Sequence, residues 1–350
     1  MPPGSEDRSQ NRWPGLLMTN DDDFAANDGE PIGFEATVRP FFADRSRAEF
    51  DRRAEALASG EPRAYEEIVF PIEVGVELAA ACNLKCVMCP VPTTSRPAQL
   101  MDPSLARAAI DQLAEESGFV FLPQGFGETM LHPRWAELVG YAAERGVLPI
   151  AMLTNATLLD ETNVARILDL GVDILVVSID GVTPETYSAV RVGGKLDKVE
   201  ANVLRLLEAR GNDRGPKLVL RIIRMQDTAE EIDDFFARWR PRIGPQDEIH
   251  INEYNDWAGK VDDFSVDGIQ SAAPNRAPCR MLWRNLSVHA DGKVSACCFD
   301  SEAELIVGDL TAGDTLGGVW RGQRLARLRR IHLEGRFEEL AICARCRTWY

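Results

Sequence analysis

From residue 72 onward the chain alternates short apolar runs with longer amphipathic segments. The runs lie at 74–78, 119–122, 149–153, 174–179, 218–223 and 248–252. They have the length and Val, Ile and Leu content of buried strands. The segments between them, at 103–117, 134–145, 160–169, 197–210 and 228–240, read as helices. Strict β/α alternation over six strands predicts an α/β fold with a parallel sheet and right-handed crossovers. Several strands end in polar or Gly-containing segments: Gly125-Phe126-Gly127-Glu128, Thr154-Asn155 and Ser178-Ile179-Asp180-Gly181. In a barrel-like α/β fold such strand ends carry the site.

The rhythm breaks after about residue 256. A hairpin is predicted over 286–294, with Asp291-Gly292 at its turn. A helix is expected over about 315–334, and Cys343-Ala344-Arg345-Cys346 follows. Residues 270–350 therefore read as a separate small module, 72–258 as the core, and 1–71 as an N-terminal extension. Residues 1–40 are rich in Asp, Asn, Pro and Gly and are expected to be partly disordered. A short helix over 43–58, ended by Gly60 and Pro62, completes the extension.

Charge narrows the partners. Of 350 residues, 39 are Lys or Arg and 55 are Asp or Glu, a net charge of −16. Such a chain is poorly suited to nucleic-acid phosphates or to an anionic membrane surface. No apolar stretch approaches the roughly 18 residues of a membrane span, and residues 1–20 lack the apolar core of a signal peptide. A cytoplasmic, reducing setting is the expectation. The eight cysteines are grouped, three within Cys82 to Cys89 and five in the last quarter. That is the distribution of metal ligands rather than of disulfides.

Cys82, Cys86 and Cys89 are spaced C-x3-C-x2-C directly after the first strand. Three thiolates on one loop suit a [4Fe–4S] cube and leave its fourth iron open for a ligand. Zinc is the rival, but structural zinc takes four ligands and no His lies near in sequence; His132 would have to be recruited from afar.

With Asn83 and Pro90 flanking it, this motif resembles the signature of the radical S-adenosylmethionine (SAM) superfamily. The resemblance implies a partial TIM-like (β/α)6 barrel and extends over about 72–350. Gly125, Phe126, Gly127 and Glu128 resemble the family's Gly-Gly-Glu-Pro motif, which binds the SAM amino group; Phe126 and Thr129 depart from it. Asn155 falls in the third-strand motif lining the SAM pocket. Ser178 and Arg191, with Tyr187 between them, resemble the segment holding the SAM ribose and carboxylate, a role that suits an Arg fork. The implied chemistry is reductive cleavage of SAM to a 5′-deoxyadenosyl radical, which takes a hydrogen atom from a C–H bond.

Cys279, Cys297, Cys298, Cys343 and Cys346 remain. Four cysteines fully ligate one [4Fe–4S] cluster, and they also suit zinc. The layout is similar to the twitch form of the family's SPASM extension, which holds one auxiliary cluster. That resemblance favours Cys279, Cys297, Cys343 and Cys346 and leaves Cys298 spare. Gly308-Asp309-Leu310 and Trp320 fit the same pattern. Two [4Fe–4S] clusters and SAM are thus the expected cofactors.

A fully ligated second cluster points to electron transfer, hence to oxidation of an alcohol. Related twitch enzymes act on carbohydrates and aminocyclitols. Some oxidise the alcohol, and others invert the carbon with a cysteine as hydrogen donor, for which Cys298 is the candidate here. Modification of a ribosomal peptide is a third option, and a non-catalytic iron–sulfur or zinc scaffold a fourth. Glu253, Asn255, Asp256 and Trp257 are candidates to face a small-molecule substrate, with Glu253 or His250 as general base. Family resemblance implies a flavodoxin or ferredoxin as electron donor. The arginines at 321, 324, 327, 329 and 330 read as a solvated helix face or a docking patch for that donor.

Overall fold

The computed structural model describes residues 34–211, 215–266 and 276–347. Most of the lead-in expected to be partly disordered, residues 1–33, lies outside them.

Six strands run parallel in chain order: β1 (Glu73–Val76), β2 (Val120–Leu122), β3 (Ala151–Thr154), β4 (Ile174–Ser178), β5 (Lys217–Arg224) and β6 (Glu248–Glu253). β1 pairs with β2, and β3 to β6 pair in succession. A parallel bridge between Phe121 and Ile150 joins the two blocks. The expected α/β barrel architecture is present. β4 is buried along its whole length, which is why its sequence shows no alternation.

Helices fill the crossovers at Pro103–Leu113, Trp135–Glu144, Glu161–Leu170, Leu196–Arg210 and Ile232–Trp239. Local chemistry starts them. Asp102 accepts from the Ser104 N–H with Pro103 at the first helical position, and Asp160 accepts from the Asn163 N–H.

The C-terminal hairpin continues the barrel sheet. β7 (Asn285–Val288) pairs parallel with β1, β8 (Lys293–Ser295) antiparallel with β7, and β9 (Ile306–Asp309) antiparallel with β8. Gly292 takes the left-handed conformation the turn requires, at φ +87°. The helix expected over 315–334 is two helices, Leu316–Trp320 and Gln323–Leu333. They part at Gly322, where a Cβ would stand 2.8 Å from the Gly318 carbonyl oxygen. Arg329, expected on the solvated face, instead turns inward. Its guanidinium stacks 4.2 Å over Trp320, and its Nε donates to the Leu282 carbonyl.

Under the sheet the Arg210–Asp247 pair is buried on both sides. Asp247 accepts from Arg210 at 2.7 and 2.5 Å and from the Leu218 and Gly244 N–H groups. Removing one partner of such a pair strands the other charge. Asp247→Ala should therefore cost about 3–5 kcal/mol in a denaturant titration and leave iron content unchanged. Among the described residues no helix is long and apolar enough to cross a membrane.

Candidate functional site

The Cys82–Cys89 loop follows β1 at its C-terminal end. Cys86 is buried, with Leu84, Met88, Val190, Met225 and Tyr254 around it and Cys82 and Cys89 packed alongside. Burial pushes the Cys82 and Cys86 thiols up and the Cys89 thiol up to about 12. Thiolates in such a place need positive partners. Arg191 supplies one, its Nη1 lying 3.8 Å from the Cys86 sulfur; bound iron would supply the rest. Asn155 Nδ2 approaches the Cys82 sulfur at 3.8 Å and donates to Asn83 at 3.0 Å. The donor set, its burial and its convergence fit an iron–sulfur cluster. Among the described residues no three His, Cys, Asp or Glu side chains surround a single-metal position. The ligands of a cube bind different irons and have no such need to meet at one point.

The segment after β2 lies flat against the chain leading into this loop. The Glu128 N–H donates to the Ala81 carbonyl at 2.8 Å. A Cβ on Gly127 would stand 2.0 Å from the Ala79 carbonyl oxygen, so only glycine fits. The Phe126 N–H donates to Glu77 at 2.8 Å. Glu128 is buried; burial raises its pKa, while the Asn155 N–H and the Thr154 hydroxyl, at 2.9 and 3.0 Å, work the other way. The strand ends carrying Glu128 and Asn155 are thereby tied together beside Cys82.

After β4, Arg191 donates through Nε at 2.7 Å, and through Nη2, to Asp180. Asp180 also accepts from the Ile223 N–H at 2.7 Å. Most of the Arg191 fork is thus taken by Asp180. Ser178 accepts from Arg221 Nη2 at 2.7 Å. The buried Tyr187 hydroxyl and Arg221 Nε find no protein partner, which fits a polar ligand lying between the strand ends.

Two further residues escaped the sequence reading. Glu77 is buried between Arg96, Phe126, Ala290 and His289. Burial alone would raise its pKa, but His289 and Arg96 hold it below the usual carboxylate range. It ties the mouth of the barrel to the C-terminal hairpin. Arg221 is a lone cation in the run Leu218 to Ile223. The available signal was the same for both, a charge inside an apolar run.

In the C-terminal part, Cys343 and Cys346 are buried together, with Cys297 packed against them. Burial, then Cys279 and Cys346, push the Cys343 thiol up to about 12. Arg276 donates to the Cys343 and Cys346 carbonyls at 3.1 and 3.2 Å. The Cys298 sulfur lies 3.8 Å from that of Met281, with Glu73, Arg284 and Cys279 nearby.

After β6 the anticipated residues scatter. Glu253 pairs with Arg224 at 2.9 Å and its side chain is 65% exposed. It stands on the opposite face of β6 from Glu248 and His250, because neighbours alternate along a strand. The structure does not bring it to the cysteine loop. His250 bonds to Glu248 at 2.9 Å. Trp257 acts as a brace: its Nε1 donates to the Met88 carbonyl at 2.8 Å, and its ring meets Phe126 and Phe299 edge-on. Asp256 is buried and bonded to Arg347 at 2.6 Å. Asn255 accepts from the Trp257 N–H at 3.2 Å.

Residues 76–238 match the radical SAM superfamily, and residues 279–347 match the SPASM iron–sulfur cluster-binding domain. The chain carries a radical SAM domain followed by a SPASM domain. Membership implies SAM and a [4Fe–4S] cluster, with additional iron–sulfur in the SPASM domain. Among curated relatives, the AdoMet-dependent heme synthase of Methanosarcina barkeri is 33% identical over 141 residues, 40% of this chain and 40% of that protein. The match thus spans well under two thirds of the relative. Among solved structures, BtrN in complex with AdoMet and 2-DOIA aligns at TM-score 0.55 and 16% identity, over 80% of this radical SAM chain and 94% of BtrN. SuiB of Streptococcus suis, bound to the precursor peptide SuiA, aligns at TM-score 0.59 and 13% identity, over 74% of this chain and 67% of SuiB. These two likenesses show a shared fold.

Proposed function

We propose that this radical SAM enzyme oxidises a secondary alcohol of a carbohydrate- or aminocyclitol-type small molecule to a ketone. What supports the reading is the proximity of Cys297, Cys343 and Cys346, with Cys279 acting on Cys343 and Cys297 and the Cys298 sulfur in contact with Met281. That set supports one auxiliary [4Fe–4S] cluster with no open iron. Among the described residues Cys298 is then the one thiol beyond the seven ligands, and its contact with Met281 argues against its returning a hydrogen, as inversion would need. BtrN, which shares the fold, binds AdoMet and 2-DOIA.

Cys82, Cys86 and Cys89 would hold the first cluster, and Gly125, Phe126, Gly127, Glu128, Asn155, Ser178 and Arg191 would line the SAM site. When bound, these groups supply a carbon-centred radical that removes a hydrogen atom, and an acceptor for one electron. The hydroxyl proton falls to a side chain. His250 serves better than Glu253, since Glu248 holds its ring. Glu248 keeps its charge: burial opposes it, but His250, Lys217 and Thr37 hold its pKa at about 2. A flavodoxin or ferredoxin would deliver the reducing electron.

Assay of the reconstituted chain with SAM, reduced flavodoxin and a panel of aminocyclitols should give 5′-deoxyadenosine and ketone in equal amounts. Cys298→Ala should leave this unchanged, and His250→Gln should slow it by about 10²-fold. An inverted alcohol whose formation requires Cys298 would sink the reading. The fold shared with peptide-bound SuiB favours a second reading, peptide modification. Cleavage of SAM stimulated by a peptide, and not by any polyol, would establish that instead.

A further inference from the structure

The second thiol set sits in a charged frame that the proposed reaction leaves unexplained. Arg276 precedes Cys279 and folds back onto the end of the chain, donating to the Cys343 carbonyl at 3.1 Å and to the Cys346 carbonyl at 3.2 Å. These bonds go to neutral backbone oxygens and do not cancel the guanidinium's charge, which acts on the Cys343 thiol against the pull of burial. The same charge acts on His332, which burial and then Arg276 hold down at about 4. The neutral His332 ring accepts the Cys279 N–H through Nδ1 at 3.2 Å. Arg276 thus reaches both arms of the set. Three residues before His332, on the same helix face, Arg329 donates to the Leu282 carbonyl at 3.0 Å, and the Leu282 N–H bonds to the Cys279 carbonyl at 3.4 Å. That side of the frame holds the Cys279 turn in place. One acid opposes Arg276. Asp300 is buried and accepts from the Glu304 and Leu305 N–H groups, each at 2.7 Å. Burial and the neighbouring thiols aside, it is the group that raises the Cys297 and Cys343 thiols.

Reduction adds one negative charge to a cluster that four thiolates already make anionic. A fixed cation stabilises the reduced state more than the oxidised one, and a fixed anion does the reverse. We infer that Arg276 is a positioning residue that readies the second cluster to accept an electron by raising its reduction potential, with Asp300 as the opposing charge. The inference rests on the reading that Cys279, Cys297, Cys343 and Cys346 hold a one-electron acceptor. The electron concerned is the one a substrate radical gives up as its hydroxyl proton leaves for the base and the ketone forms.

The test is a redox titration, followed by EPR, of the reconstituted full chain bearing Cys82/Cys86/Cys89→Ala, in which the second cluster alone reports. Arg276→Gln should raise the oxidised-to-reduced ratio at the parent's midpoint by about tenfold, a fall of about 59 mV for one electron. Arg276→Lys, which keeps the charge, should stay near the parent. Asp300→Asn should move the ratio the other way. Iron at about four per chain shows that each cluster is in place, and Asp300→Asn carries the test should Arg276→Gln lose its iron. Midpoints that ignore all three substitutions, or that shift alike in Arg276→Gln and Arg276→Lys, overturn the inference and leave the proposed reaction standing. A parent with no iron at the second set removes the electron acceptor from that reaction, and this inference falls with it.

Discussion

Replacing Cys82, Cys86 and Cys89 together by alanine should lower iron from about eight per chain to about four and abolish cleavage of SAM. The loss should be confined to one cluster because the two sulfur groups are held by different parts of the fold. The first loop hangs from the end of β1 and leans on Arg191 and Asn155. The second set is packed with Ala258, Leu305 and Ile342 and carried by Arg276. A wild type with about four irons and a triple variant with none would leave the C-terminal cysteines to zinc and remove the electron acceptor from the proposed reaction. Iron and sulfide analysis with Mössbauer spectroscopy, after anaerobic reconstitution, reads both outcomes.

Gly127→Ala should weaken SAM binding by about 10²-fold, equivalent to about 2.7 kcal/mol. The added methyl would overlap the Ala79 carbonyl oxygen at 2.0 Å and approach that of Ala81 at 2.6 Å. These are backbone atoms, so no side chain can swing away, and the strain falls on the segment leading into Cys82. The Glu128 N–H bond to Ala81 would lengthen, and the tie between Glu128, Thr154 and Asn155 would shift with it. Gly146→Ala is the control. It carries a positive φ, at +77°, which Gly127 does not, but has nothing within 4 Å of its added methyl, and should leave SAM affinity untouched. Equal SAM affinity in Gly127→Ala and wild type would disprove this account of the turn.

Much of the architecture was legible. Apolar runs of strand length marked all six barrel strands, and Asp291-Gly292 marked the hairpin. The cysteine spacing marked the Cys82–Cys89 group, because metal ligands cluster in sequence when one loop carries them; the second group is spread from Cys279 to Cys346. What stayed hidden depends on partners distant in sequence. Glu77 reads as a stray polar residue in an apolar run until His289 and Arg96 are placed around it. Arg221 reads the same way. Glu253 reads as a fair base from the sequence, which does not say which alternate face of a strand turns inward. The helix break at Gly322 was missed because a single glycine is tolerated in a helical pattern; the close approach of the Gly318 carbonyl decides it. That Arg191 would lean on Asp180 was equally invisible, though both lie in segments the sequence had singled out.

The parallel pairing of β7 with β1 has a consequence for biosynthesis. β1 leaves the ribosome early, yet Arg284, which bonds Glu73 from just before β7, lies 211 residues further along the chain. Until that stretch has been translated, β1 has a neighbour on one side only, and its other edge offers unpaired N–H and C=O groups to any passing strand. The nascent barrel is thus a half-zipped sheet through most of its synthesis, in a form that invites aggregation and engagement by chaperones. The Cys82–Cys89 loop at its mouth acquires its finished surroundings only when the last quarter of the chain has arrived to close the seam.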